Sequence, residues 1–111
     1  MNPQEIVQMQ LDFYNKHNLE GFMSTYHDDI TVYNLIDNSV ILEGKELLRE
    51  KYYERFEILK VHAELVNRMV IGNKVIDHEY VTELNVDEIV KAVAIYEIED
   101  SLIKRVWFLF E

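Results

Sequence analysis

Apolar residues recur at helical spacing through the first part of the chain and alternate with polar ones through the rest. Over 3–17, Ile6, Val7, Met9, Leu11, Phe13 and Tyr14 fit one face of an amphipathic helix. Asn2 is placed to cap it, and Pro3 sits in its first turn, where a missing N–H costs nothing. Asn18 breaks the pattern, a short second helix is predicted over 19–26, and Asp28 and Asp29 lead into a strand over 30–35. A turn at Asp37, Asn38 and Ser39 follows, and Glu43 and Gly44 mark the next boundary. Over 45–59, Leu47, Leu48, Tyr52, Phe56 and Leu59 predict a third helix with one apolar stripe. Everything beyond it reads as strand: 61–71, 74–84, 89–99 and 102–110, joined by short turns at Gly72-Asn73, 85–87 and Asp100-Ser101. This order predicts a single α+β domain over 1–111, with three N-terminal helices packed on one face of a curved antiparallel sheet to enclose a cone.

The hairpin around Gly72-Asn73 carries the most information. A two-residue turn there sets Arg68 opposite Asp77 and Asn67 opposite His78. Alternation then places Val66, Arg68, Val70, Val75, Asp77, Glu79 and Val81 on one face. The other face carries Leu65, Asn67, Met69, Ile71, Ile76, His78 and Tyr80. Both faces are apolar with polar groups set into them, so the sheet is expected to be covered on both sides: by a pocket on one and by a partner on the other. In the last strand, Val106, Phe108 and Phe110 are expected to face the cone, with Ile103, Arg105, Trp107 and Leu109 outward. An exposed Trp among Leu and Ile calls for a cover, and a homodimer through Asn67, His78, Ile95, Arg105 and Trp107 supplies one.

Composition narrows the function. A chain of 111 residues with 49% hydrophobic content buries a real core without staples, and the absence of cysteine excludes thiolate chemistry and disulfides. A net charge of −10, with eleven basic residues dispersed among twenty-one acids, argues against nucleic acid. The first residues lack a basic and apolar leader and no stretch approaches a membrane span, so a cytoplasmic protein without membrane partners is expected. The histidines show no zinc-ligand spacing and the three glycines form no phosphate loop or dinucleotide fingerprint, so no metal or cofactor is expected.

Four stretches carry a resemblance to a known family. They are Tyr14-Asn15-Lys16-His17-Asn18-Leu19-Glu20-Gly21-Phe22, His27-Asp28-Asp29-Ile30-Thr31-Val32, Glu43-Gly44-Lys45, and Ile95-Tyr96-Glu97-Ile98-Glu99-Asp100. With the order of elements, they resemble the SnoaL-like branch of the NTF2-like (cystatin-like) superfamily, over nearly the whole chain. The resemblance implies a cone holding a small apolar molecule and dimers built on the outer sheet faces. It does not carry over the known chemistries. Where ketosteroid isomerases place an aspartate base, a tyrosine and a protonated aspartate, this chain has Asn34, Gln10 and Ala94. Epoxide hydrolases of the family share an Asn at position 34, but their Asp-Arg-Asp set falls on Glu79, Val81 and Phe108.

The candidate site is therefore the polar floor of the cone. Asp77 or Glu79 would act as general acid or base, with Arg68 as tuning cation, and Asn34 and Tyr96 as ligand contacts. Tyr14, Tyr52, Phe56 and Phe108 would line the cone around them, with Phe22 beside the helix aromatics. The competing reading is a structural ion pair in a filled cone, because a carboxylate bound to arginine is a poor acid. The protein would then be a non-catalytic dimeric interaction module. His78 is no base in either case, since in a strand it points away from Asp77 and Glu79.

Overall fold

A computed structural model describes residues 1–111. Helix α1, Pro3–Asn15, starts with a reciprocal cap: the Asn2 side chain accepts from the Glu5 amide, and the Glu5 carboxylate accepts from the Asn2 amide. Helix α2, Leu19–Ser24, is capped by Asn18, whose side chain accepts from the Gly21 amide at 2.9 Å. The Thr25 hydroxyl donates to the Phe22 carbonyl and closes α2, so Tyr26 opens a strand instead of ending the helix. Strand β1 runs Tyr26–Asn34 and β2 Val40–Glu43. The short β2 was not evident from the sequence, because four residues do not establish a period. Helix α3, Lys45–Tyr53, continues as a π-helical turn over Glu54–Leu59. Its buried stripe is Leu48, Tyr52 and Phe56, while Leu47 is exposed. Strands β3 (His62–Ile71), β4 (Lys74–Asn85), β5 (Glu88–Glu99) and β6 (Leu102–Phe110) form the meander. No helix is long and apolar enough to cross a membrane.

The six strands make one sheet in the order β2-β1-β6-β5-β4-β3. The expected all-antiparallel sheet is corrected to a mixed one, because β6 returns alongside β1 in the same direction. The predicted hairpin register holds, with Arg68 opposite Asp77 and Asn67 opposite His78.

Two bulges correct the face assignments. In β3, Leu65 pairs with Glu79 and Asn67 with His78, so Val66 is the extra residue. Leu65 and Ala63 therefore turn to the inner face and Val66 turns out. In β6, Ile98 pairs with Ile103 and Glu97 with Arg105, which makes Lys104 the extra residue and takes Ile103 into the core, against its expected outward position.

The helices cover the inner face. Phe22 is fully buried, with ring centroids 4.5 Å from Tyr52, 5.0 Å from Tyr26 and 5.2 Å from Phe56. The end of α1 is tied to β3 by Asn15, whose amide exchanges two hydrogen bonds of 2.8 and 2.9 Å with the backbone of Ala63. These bonds hold the end of α1 against β3.

Candidate functional site

On the inner face of β4 alternation brings Val75, Asp77, Glu79 and Val81 inward, all buried. The cross-strand partners on β5 are small where the carboxylates stand: Ala94 faces Asp77 and Ala92 faces Glu79. That spacing is what lets two acids enter the covered face. They then differ in their company. Both oxygens of Asp77 accept from Arg68, from Nε at 2.7 Å and Nη2 at 2.9 Å, and Arg68 Nη1 donates to Gln8 on α1 at 2.8 Å. Gln8 in turn donates to Asp12. This chain from sheet to helix pairs the charge of Asp77 and leaves it no free oxygen.

Glu79 has no cationic partner in contact. Its Oε1 accepts from the Tyr96 hydroxyl at 3.4 Å, a long bond. Burial, then the nearby Asp77 charge, pushes its carboxyl up to about 7, against smaller opposing effects of Tyr96 and Arg68. Burial and the neighbouring Glu79 hold the Tyr96 hydroxyl well above the tyrosine range, so it stays a donor at neutral pH. Tyr14 is raised as well, by burial and then by Tyr52, with the Arg55 guanidinium opposing.

Glu79 borders an inner cavity of about 30 Å³, room for a single water, lined also by Gln10, Tyr14, Tyr52, Arg55, Tyr96 and Phe108. Arg55, Leu84 and Phe110 separate it from a vestibule of about 460 Å³ at the wide end of the cone. Of the expected site residues, the structure brings together Glu79, Tyr96, Tyr14, Tyr52 and Phe108. It does not bring the others to the cavity. Arg68 and Asp77 are turned toward each other and α1. The Asn34 side chain accepts from the Ile36 amide at 3.0 Å, shapes the turn after β1 and is not part of the cavity lining. Phe56 is fully buried among the helix aromatics, a core residue.

Gln10 and Arg55 complete the lining, and the sequence reading assigned neither a role in the site. For Gln10 a signal existed, since it occupies the place of the isomerase tyrosine. Of positions 10, 34, 79, 81, 94 and 108, to which the resemblance assigned the catalytic groups of two enzyme types, all but 34 line this one cavity. Arg55 gave no signal, because the π turn that presents it is invisible to a 3.6-residue period.

On the outer face the proposed dimer residues are partly occupied within the chain. Trp107 stacks on Tyr33 at 5.2 Å and donates to the Asn38 side chain at 2.9 Å. Arg105 pairs with Glu97 at 2.6 Å. Asn67, Met69 and Leu109 stand exposed around the half-buried His78, Ile95 and Val93.

A six-stranded curved sheet with helices closing one face, and a buried carboxyl beside a cavity in the resulting cone, defines a small α+β cone protein of the cystatin-like, NTF2-like class. The profile of the SnoaL-like domain matches residues 7–106, and the chain belongs to that family. Among solved structures, an uncharacterised cystatin-fold protein from Novosphingobium aromaticivorans is similar at 28% identity, covering 98% of both chains with a TM-score of 0.87. A provisionally named ketosteroid isomerase from Kribbella flavida is similar at 16% identity over 98% of this chain and 77% of that one, TM-score 0.85. A provisionally named polyketide cyclase from Sinorhizobium meliloti is similar at 18% identity over 95% and 94%, TM-score 0.81. The last two likenesses speak for the fold alone. No curated protein sequence matches the chain.

Proposed function

We propose that this protein binds a small, largely apolar molecule at the wide end of the cone and that Glu79 exchanges a proton with it. One observation carries the reading: a buried carboxyl with a pKa near 7, free of any cation in contact, beside an otherwise mostly apolar cavity. A group so poised accepts a proton above neutrality and donates one below it. Tyr96 is the donor that steadies the ionised form, and the hydroxyl of Tyr14 and the amide of Gln10 line the same cavity, where they would meet an oxygen on the ligand. The vestibule has the volume of a small-molecule site, and displacement of Leu84 and Phe110 would join it to the inner cavity.

Proton exchange at the α carbon of 2-decalone in D2O, followed by NMR, tests the reading. Wild-type protein is expected to accelerate exchange, with a rate that rises with pH and levels above about 7, and Glu79→Gln is expected to lower it by about 10²–10⁴. Equal exchange by both proteins would remove Glu79 from the chemistry.

A second reading, a non-catalytic dimeric module, is favoured by the inner cavity itself, which has room for one water and is otherwise filled by side chains. In either reading the outer face is the proposed contact between two copies. Sedimentation is expected to show a dimer that Ile95→Lys converts to a monomer by placing an unpaired charge in the middle of the contact. A monomeric wild-type protein at micromolar concentration would remove the interface.

A further inference from the structure

Arg55 stands apart from the other arginines. Arg49 bonds Glu20, Arg68 bonds Asp77 and Arg105 bonds Glu97, whereas Arg55 pairs with no carboxylate in a chain where acids outnumber bases by about two to one. Neither Arg55 nor Lys51 takes part in any ion pair of the structure. Arg55 is half-buried, with its guanidinium 4.9 Å from the centre of the Tyr52 ring, a contact that fixes its direction. It is one of three residues that border both the inner cavity and the vestibule, and Lys51, also half-buried, lines the vestibule beside it. Burial, then the charge of Arg55, lowers the Lys51 ammonium. Two cations thus crowd each other over an apolar wall of Leu59, Leu84, Val90 and Phe110. Glu54, Glu88 and Glu111 reach the same vestibule, but all three are solvent-exposed, where attraction and repulsion are strongly screened.

We propose that the ligand of this site is a small organic acid, its carboxylate held by Arg55 with Lys51 as the second positive charge, and its apolar body lying on Leu84, Val90 and Phe110. This rests on the reading of the cone mouth as a ligand site, and it names the chemical class. The planar guanidinium offers a fork that matches a carboxylate, and at a half-buried position that bond is stronger than on the open surface. A molecule so anchored lies at the partition, with the inner cavity and Glu79 behind Leu84 and Phe110 and solvent on its other side.

Three probes with one body separate the outcomes: 2-naphthoate, 2-naphthamide and 2-(aminomethyl)naphthalene, titrated calorimetrically against the full chain. The carboxylate is expected to bind about tenfold or more tighter than the amide. Arg55→Gln is expected to bring the two within about twofold, and Arg55→Lys to keep part of the preference. A single cooperative urea-unfolding transition in each variant reports that it is folded. Equal binding of carboxylate and amide, tighter binding of the amine, or an unaltered preference in Arg55→Gln would overturn the organic-acid proposal while the site reading stands. Failure of all three probes to bind would overturn both.

Discussion

Replacing Asp77 by Ala is expected to cost roughly 3–5 kcal/mol of folding stability. The Asp77 side chain is 1% exposed and that of Arg68 9%, so the change strands a guanidinium that has little water to turn to. Its bond to Gln8 remains but carries no opposing charge. Urea unfolding reads the loss as a lower midpoint at unchanged slope. The double variant Arg68→Met with Asp77→Leu is expected to recover most of it, because the desolvation cost then disappears with the charges. A loss below about 1 kcal/mol for Asp77→Ala would mean that the pair is screened as on a surface.

Glu79→Gln is expected to stabilise the protein at neutral and higher pH. In the folded protein the carboxyl holds its proton to about 7, against an ordinary value of 4.5. Between these values the unfolded chain has released the proton and the folded one retains it, so stability falls as pH rises across this window and is constant on either side. The full contribution is roughly 3 kcal/mol. Gln keeps the shape without the titration. Its advantage over wild type should be absent near pH 4, grow from about 4.5 to 7, and level above. Unfolding midpoints at pH 4, 6 and 8 measure this directly, and a difference independent of pH would place Glu79 in solvent. Should the same variant lose proton exchange, the cost in stability and the catalytic role would share one cause, the withdrawal of a carboxyl from water.

Much of the architecture was legible in the chain because its causes are local. Asn2 and Asn18 cap helices through groups three residues away, and the 3.6-residue stripe of Leu48, Tyr52 and Phe56 marks the buried side of α3. The two-residue turn at Gly72-Asn73, with Gly72 in the left-handed region, sets the register that puts Arg68 opposite Asp77. The presence of charged groups on the covered face follows from that register and the alternation of β4.

Only the tertiary structure decided which groups form the site. The extra residues at Val66 and Lys104 reverse the facing of Leu65 and Ile103, and no alternating pattern announces an inserted residue. The parallel contact of β1 with β6 joins segments some seventy residues apart. The difference between Asp77 and Glu79, two positions apart on one strand, arises from where Arg68 reaches and from the cavity that only Glu79 borders. Arg55 and Gln10 enter the site from two separate helices, and whether a charge there finds a partner depends on every element packed around it. Short-range hydrogen bonds and the geometry of one turn act within a few residues and can be read along the chain. Desolvation and cavity shape are sums over neighbours distant in sequence, and they exist only once the sheet has curved and the helices have closed over it.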